Sequence, residues 1–490
     1  MKKTAVRSIS FVALLTVVSK ALGMLRDILQ ARAFGTGAQM DAYVSANSFT
    51  VYIFSACAYA LCIAAVAVVG SKLPAGRDRA EQTANSLTSL CLTVSCAVAV
   101  TVALLGALGV FGSALSPYIA ILSLSLPVIV ATYMFMAYFQ VLGHYSVQGS
   151  LSLLYNIVLC ILLFIWGRSM SVPLFAACMS GAWLLQLATL LPCFWRERYR
   201  FCLSLKCDKN DTRTFLKTAA ATLLTTSAFL LCYLCDSAKS VYMGEGVVSA
   251  FSYADKLFTP LVTTIIYSIS AVMFPRWSEK SRTLQPGQYC RFVLRAVSNT
   301  VMFMLPVSAL VSAFGVPVVR VLFEGGSFGL EATFLTGKVF SCYALGMVGF
   351  AMLDLVSKAF YAGGHIKTPL LVNLGAVAAN LLVNLLVSDL SAPAVAAGTA
   401  LILTVSGGVM VYAFAREYSV KLTLSPIVKS AALSCIMFFV MHWLSGVITT
   451  ATDGKLMLVV KCAAAGVAAL AVYALIMKKN ITKIMKEGGK

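Results

Sequence analysis

Long apolar segments separated by short polar connections run through the whole chain. Each apolar segment holds about 20 residues, enough for one helix to cross a hydrocarbon core of about 30 Å. Counting interrupted segments, we find about 14 of them and predict an all-α polytopic membrane protein. The predicted spans are residues 6–33, 40–70, 84–110, 117–142, 150–168, 173–194, 214–240, 247–275, 291–314, 331–361, 368–388, 393–414, 426–448 and 456–477.

Composition supports a membrane location. Of the 490 residues, 60% are hydrophobic and only 11% are charged, whereas a soluble domain has about 25% charged residues. Too few polar residues are present to cover a water-exposed surface. The sequence therefore excludes a soluble globular protein.

The net charge of +20 is concentrated in alternate connections between spans. By the positive-inside rule, those connections and both termini are cytoplasmic. Because the basic residues follow topology, we expect attraction to anionic membrane lipids and no nucleic-acid partner. The main basic groups are Lys2, Lys3 and Arg7; Lys72, Arg77 and Arg79; Arg196, Arg198, Arg200, Lys206 and Lys209; Arg276, Lys280 and Arg282; Arg416 and Lys421; and Lys478, Lys479, Lys483 and Lys486.

The longest basic connection divides the spans into two sets of six and a final pair. We predict an N-terminal lobe at 1–194, a basic cytoplasmic linker at 195–213 and a C-terminal lobe at 214–414. The last helix pair and a basic tail occupy 415–490. A short internal repeat supports duplication of the six-helix set. Phe34-Gly35-Thr36-Gly37 resembles Met243-Gly244-Glu245-Gly246, and each follows the first helix of its set.

The first span carries charges that a membrane helix normally excludes. Lys20 and Arg26 lie within or beside its apolar run, where a central charge costs roughly 2.5–3.5 kcal/mol on insertion scales. Such side chains face a wet cavity or a partner, and a cationic cavity indicates an anionic cargo. An ideal helix separates the two by about 120°, so a shared cavity requires long reach or a bend at Gly23. The alternative is that Arg26 and Arg32 reach outward and pair with Asp27 or Asp41.

Several motifs in order along the chain resemble one family. They are similar to motifs of the MurJ (MviN) lipid II flippases, in the multidrug/oligosaccharidyl-lipid/polysaccharide exporter superfamily. The matching residues are Ser19-Lys20-Ala21-Leu22-Gly23-Met24-Leu25-Arg26-Asp27, Ala33-Phe34-Gly35, Asp41-Ala42-Tyr43, Tyr253-Ala254-Asp255-Lys256, Phe274-Pro275, Leu322-Phe323-Glu324-Gly325-Gly326-Ser327-Phe328, Phe360-Tyr361-Ala362 and Ile366-Lys367-Thr368-Pro369.

The resemblance implies a function and a location. It implies two pseudo-symmetric six-helix lobes and an extra C-terminal helix pair in the bacterial cytoplasmic membrane. It also implies that the chain translocates lipid II to the outer leaflet by alternating access, for cell-wall synthesis. Expected partners are lipid II, membrane lipids and the cell-wall synthesis machinery.

The same resemblance implies a set of substrate-binding residues. They are Lys20, Arg26, Asp41 and Lys256, with Asp255 adjoining, and their cations would neutralise the pyrophosphate of lipid II. The chain departs from the family pattern at several of these places, which makes it a divergent member. Lysine stands at 20 and 256 where arginine is usual, and Tyr52, Ala56 and Thr259 stand where charged residues are common.

Polar residues in the second lobe suggest a coupling ion. Asp236 lies within the seventh span, Asn380 and Asn384 share a face of the eleventh helix, and Val395 and Thr399 share a face of the twelfth. Together they offer carboxylate, amide, carbonyl and hydroxyl oxygens, which suit an alkali cation. The set is similar to a sodium site described within the MurJ family, where an acidic residue stands at the position of Asn384. The alternative is that Asp236 is protonated or paired with Lys239.

Neither catalysis nor a structural metal is predicted. The histidines His144, His365 and His442 are isolated, and the Cys232-x-x-Cys235 pair lacks further ligands nearby. We therefore expect a non-enzyme with no cofactor other than a coupling sodium ion. Two other functions stay open: export of another polyprenyl-linked glycan or of drugs, and a non-transporting scaffold. A drug exporter should carry an anionic cavity, and a scaffold leaves the central charges unexplained.

Overall fold

The computed structural model describes residues 2–144, 146–226, 228–387, 390–422, 425–448 and 454–478. Within these ranges the chain is helical, and the one β feature is an isolated bridge between Gly325 and Phe328. The helices form two compact units, residues 1–227 and 228–490.

Unit 1 contains eleven α-helices among its described residues. One π-helical turn, Ser48–Tyr52, joins α2 to α3. The helices are α1 (Lys2–Phe34), α2 (Ala38–Asn47), α3 (Ile53–Lys72), α4 (Arg77–Ala107), α5 (Ser116–Ser123), α6 (Leu126–Val141), α7 (Ser146–Ser150), α8 (Leu153–Trp166), α9 (Val172–Ala188), α10 (Leu191–Glu197) and α11 (Lys209–Thr226).

Unit 2 contains ten helices among its described residues. They are α12 (Ala228–Ser240), α13 (Val247–Thr283), α14 (Pro286–Ala313), α15 (Gly315–Leu322), α16 (Leu330–Leu345), α17 (Met347–Ala362), α18 (Lys367–Leu386), α19 (Ala392–Glu417), α20 (Ser425–Ile448) and α21 (Lys455–Ile476).

The predicted all-α membrane fold is confirmed. Ten helices of the described ranges are long and apolar enough to span a membrane, or eleven if α16 and α17, which meet at 42°, form one span. The predicted count of about 14 is not confirmed among the described residues, and three predicted spans account for the difference. The side chains of residues 6–14 lie outside those described, α8 has only 14 residues, and the span predicted at 214–240 is divided between α11 and α12.

The boundary between the units falls inside the predicted seventh span rather than in the 195–213 linker. Helix α11 packs against α3 of unit 1, and Asp211 at its start forms a 2.8 Å ion pair with Lys72. The linker lies along α4, where the Ser204 backbone N–H donates to Ser89 Oγ at 2.9 Å. These contacts explain why α11 groups with the helices before it.

The C-terminal helix pair packs on unit 2. Helix α20 contacts α14 and α21. The hydroxyl of Tyr473 on α21 donates to the carbonyl of Met302 at 2.8 Å and lies 2.6 Å from Ser430 Oγ on α20. A buried tyrosine hydroxyl thus links all three helices through groups that would otherwise lack partners in the membrane.

Close backbone packing brings α17 and α19 together in unit 2. A Cβ on Gly349 would lie 2.4 Å from the backbone of Leu403, and one on Gly407 would lie 2.8 Å from the carbonyl of Gly349. Only glycine fits at either position. Small residues at such contacts let membrane helices approach closely, so the backbones of α17 and α19 pack directly against each other.

The topology predicted from the basic connections can be tested by labelling. In a background with all 15 cysteines replaced, Lys206→Cys and Arg282→Cys should resist a membrane-impermeant maleimide in intact cells. Ser113→Cys and Gly329→Cys should react, because the positive-inside rule places these positions outside. All four residues are exposed, and a Cβ on Gly329 meets nothing within 4 Å. Labelling of residue 206 from outside would contradict the predicted orientation.

Candidate functional site

A charged cluster joins α1 to α8 in unit 1. Arg26 Nη2 lies 2.8 Å from Asp27 Oδ1, and Arg26 Nη1 donates to Asn156 Oδ1 at 3.0 Å. The guanidinium carbon lies 5.5 Å from the ring centroid of Tyr155. The side chains of Arg26 and Asp27 are 17% and 10% exposed. Arg26 therefore makes the ion pair with Asp27 that the sequence offered as an alternative, and it is held in one orientation.

Lys20 lies on the same helix, one turn and a half before Arg26, and its side chain is exposed. Its neighbour Ser19 is buried against α8, with Ser19 Oγ 2.7 Å from Ser152 Oγ. Helix α1 continues through Gly23, where a Cβ would lie 3.5 Å from the Asn156 amide. That distance is ordinary van der Waals contact, so the helix is not interrupted at Gly23 and packs there against Asn156. Lys20 and Arg26, six residues apart on this helix, point in directions about 120° apart.

Asp41 and Tyr52 lie at the start and in the middle of the second span. Asp41 is in the first turn of α2, where the helix dipole favours a carboxylate. Tyr52 ends the π-helical turn between α2 and α3 and is half-buried. Such turns often occur at functional sites.

The second cationic position lies near the start of α13 in unit 2. Asp255 is 8% exposed and accepts a hydrogen bond from Thr259 Oγ1 at 2.6 Å. The neighbouring Lys256 is half-buried, and its Nζ lies 5.1 Å from the ring centroid of Tyr253, a cation–π distance. Asp255 thus contacts Thr259 on its own helix, and Lys256 lies beside an aromatic ring.

The Leu322–Phe328 motif packs against Tyr253, the aromatic residue beside Lys256. The rings of Phe323 and Phe328, both fully buried, lie 5.4 Å and 5.5 Å from the ring of Tyr253. The turn between them is closed by the Gly325–Phe328 bridge, with Gly325 at a φ of 128° that favours glycine. The motif therefore fixes the aromatic ring beside Lys256.

The predicted ion-binding residues meet in the interior of unit 2. Asp236 is fully buried on α12 and accepts four hydrogen bonds. Asn384 Nδ2 and Asn380 Nδ2 donate to its Oδ1 at 2.8 Å and 3.2 Å. Thr399 Oγ1 and the Tyr343 hydroxyl donate to its Oδ2 at 2.6 Å and 2.8 Å. A carboxylate with four donors is satisfied without a basic partner.

The arrangement differs from the alternative with Lys239. That lysine donates instead to the carbonyl of Val387 at 3.1 Å. Val395, buried at 1% exposure, lies one turn before Thr399 on α19. Four separate helices, α12, α16, α18 and α19, therefore converge on Asp236.

The residues around Asp236 fit a sodium ion by their chemistry. Each asparagine presents an amide whose oxygen and nitrogen are similar in size, and a half-turn of the amide replaces a donor with an oxygen ligand. With both amides turned, Asp236, Asn380, Asn384 and Thr399 all offer oxygen atoms, the ligands that hard cations prefer. The cluster can therefore either satisfy Asp236 by internal hydrogen bonds or present oxygen ligands to a cation.

Sequence reasoning missed three residues of these clusters. Tyr155 and Asn156 on α8 complete the surroundings of Arg26, and Tyr343 on α16 completes those of Asp236. Asn156 could have been found, because an amide inside an apolar span needs a hydrogen-bonding partner. The tyrosines carry no comparable signal, since aromatic residues are frequent in membrane helices.

The histidines are separate from one another. His144 Nε2 lies 2.6 Å from Glu197 Oε1 in unit 1. In unit 2, His365 lies 3.6 Å from Glu417, and the ring of His442 stacks on a phenylalanine. Among the described residues, no three His, Cys, Asp or Glu side chains come together in a way that could hold a metal ion.

Comparison with known proteins decides the family. A family profile described as "Lipid II flippase MurJ" matches residues 30–462, most of the 490-residue chain. The chain belongs to the MurJ family. The resemblance found in its motifs is confirmed.

Curated MurJ relatives are distant in sequence. The probable lipid II flippase MurJ of Thermotoga maritima is 23% identical over 374 residues, which are 75% of this chain and 76% of that protein. The probable lipid II flippases MurJ of Rhizobium meliloti and Rickettsia prowazekii are 28% and 29% identical over 26% and 30% of this chain. Those two matches cover only 24% and 29% of the relatives' own lengths.

Solved structures share the fold. "Lipid II flippase MurJ, inward closed conformation" aligns with a TM-score of 0.79 at 17% identity, over 96% of this chain and 100% of that one. An inward-facing multidrug resistance MATE transporter of the MOP superfamily aligns with a TM-score of 0.68 at 15% identity, over 82% and 94%. The chain therefore shares the fold of these MurJ and MATE structures, and this MurJ-family chain is a multi-span membrane protein.

Proposed function

We propose that this protein moves lipid II from the inner to the outer leaflet of the bacterial cytoplasmic membrane, for cell-wall synthesis. The observation that carries the proposal is the family match over residues 30–462. The charged residues of the two units support it, because both offer cations from membrane helices. Unit 1 offers Lys20 and Arg26, and unit 2 offers Lys256.

The chemistry of each cation suits a pyrophosphate. Arginine presents a planar fork of donors that matches phosphate oxygens. The Arg26 fork is held by Asp27 and Asn156, so a phosphate would bind it by competing with the Asp27 carboxylate. Lysine is a flexible point charge, so Lys20 and Lys256 can follow a phosphate as it moves. In alternating access the headgroup crosses while the polyprenyl tail remains in lipid. These cations would repel a cationic drug, which argues against multidrug export.

We also propose that the cluster around Asp236 binds the coupling ion, sodium. Its support is the convergence of Asp236, Asn380, Asn384 and Thr399 in one buried cluster, with Val395 adjacent. A buried anion that can exchange amide donors for oxygen ligands offers two states of similar packing. Binding of the ion would favour one state, and coupling would follow from that difference.

Depletion in the native host tests the function. When synthesis of the protein is stopped, lipid II accessible to an externally added probe should fall while total lipid II rises, because the precursor accumulates on the inner face. Expression of the parent chain should restore both amounts. If external lipid II is unchanged after depletion and another polyprenyl-linked glycan accumulates instead, the protein is an exporter of that glycan.

A further inference from the structure

An ion pair that the proposed function does not use lies within the membrane helices of unit 2. Lys358 Nζ on α17 lies 2.6 Å from Asp354 Oδ2, one turn earlier. It also donates to Ser270 Oγ on α13 at 3.0 Å and lies 4.8 Å from the ring centroid of Tyr267. Ser270 Oγ donates in turn to Asp354 Oδ2 at 3.2 Å. The pair therefore connects α17 to α13.

The pair is accessible rather than sealed. The side chains of Asp354 and Lys358 are 19% and 27% exposed, and Tyr267 beside them is 52% exposed. Contact with acyl chains would be costly for either charge, and intramembrane charges almost always face the helix bundle or a water-filled cavity. The open side of this pair therefore faces polar surroundings, from which a ligand can approach.

A polar face of α13 runs between this pair and Lys256. Lys256, Thr259, Thr263, Tyr267 and Ser270 are spaced three or four residues apart and fall within about 80° of the helix circumference. Thr259, Thr263 and Lys256 are half-buried, and none of the five is apolar. From residue 256 to residue 270 the helix rises about 21 Å. The two lysines thus lie near opposite ends of one polar path.

We propose that Lys358 is a second anion-binding residue of unit 2, which Asp354 holds until a phosphate group displaces its carboxylate. This inference rests on the proposed function. A phosphate group carries more charge than a carboxylate and accepts more hydrogen bonds, so it can compete for the lysine. Asp354 then keeps the hydrogen bond from Ser270. The binding is weak because a carboxylate must be displaced, and weak binding allows the phosphate to leave.

The position of the pair gives it a place in the cycle. With the termini inside, as the basic connections predict, Ser270 is nearer the cytoplasmic end of α13 than Lys256. A phosphate group entering from the cytoplasm therefore meets Lys358 first and Lys256 afterwards. Pairing with Asp354 keeps Lys358 neutralised before the substrate arrives.

Opposite effects of two substitutions test the proposal. Farnesyl pyrophosphate, farnesol and inorganic pyrophosphate are titrated into the purified full-length protein by microscale thermophoresis. Lys358→Met should weaken binding of farnesyl pyrophosphate about tenfold through the loss of one charge-assisted contact. Asp354→Asn should strengthen it, because the internal competitor is gone. Lys421→Met, at an exposed lysine in the basic connection after α19, should leave the affinity unchanged.

A purely structural ion pair predicts different results. In that case both variants lose thermal stability and neither binds more tightly than the parent, which would overturn the proposal. Lys358→Arg should bind like the parent, so a folding defect of Lys358→Met does not hide the result. If inorganic pyrophosphate shows the same opposite shifts, the site recognises the pyrophosphate group whether or not a lipid is attached to it. If the parent binds farnesyl pyrophosphate no better than farnesol, both this inference and the proposed function fail. If the parent prefers farnesyl pyrophosphate but the two variants do not shift its affinity in opposite directions, only this inference fails.

Discussion

Lys256→Ala is expected to abolish the ability of this protein to replace the native flippase, while the variant inserts in normal amounts. The substitution removes a cation that we expect to contact the pyrophosphate. A hydrogen bond to a charged group contributes about 1.5–3 kcal/mol, so affinity should fall roughly ten- to hundredfold. The measurement is external lipid II in depleted cells that express the variant. Lys20→Ala should behave in the same way.

Two controls separate charge from structure in that experiment. Lys256→Arg should retain activity, because arginine supplies the same charge with more donors. Lys421→Ala removes an exposed lysine of the same unit, in the connection after α19, and should be silent. Parental levels of external lipid II in the Lys256→Ala and Lys20→Ala cells would rule out a cationic path for the pyrophosphate.

Asp236→Asn is expected to eliminate stabilisation of the purified protein by sodium. In the parent, sodium should raise the melting temperature and potassium should not, since binding to the folded state stabilises it by about 2.7 kcal/mol at a hundredfold excess over Kd. The asparagine variant loses the negative charge and presents a donor to side chains that already donate to Asp236. It should therefore also unfold at a lower temperature in the absence of sodium.

Asn384→Asp provides the matched gain of function. It places a second carboxylate beside Asp236, at the position where the resembled sodium site has an acidic residue. Without sodium the two like charges repel, so the variant should be less stable than the parent. With sodium the shift in melting temperature should exceed the parental shift. Equal stabilisation by sodium and potassium in the parent, unaffected by either substitution, would mean that the cluster is a hydrogen-bond network only.

Charged and polar residues within apolar spans could be recognised directly from the sequence. A charge in a membrane helix is costly, so Lys20, Arg26 and Asp236 stand out from their surroundings without any knowledge of the fold. Helical spacing then paired Asn380 with Asn384 and Val395 with Thr399. The structure brings Asp236, Asn380, Asn384 and Thr399 into one cluster, with Val395 adjacent.

The orientation of the same side chains could not be derived in this way. Arg26 was predicted to face a cavity, with an ion pair to Asp27 as the alternative, and the structure shows the ion pair together with Asn156. Asn156 is 130 residues away in sequence, so no local pattern connects the two. Tyr343 reaches Asp236 across 107 residues for the same reason.

The sequence by itself determined the fold class, the approximate spans and the chemical types of residue that meet in each unit. It could do so because hydrophobic length and the cost of intramembrane charge act within single helices. Tertiary structure decided which partner each polar group has, where spans break at α11 and α12, and that α11 packs with unit 1. Those features depend on contacts between helices that are distant in the chain, where close packing and the need to satisfy every polar group select one arrangement among many.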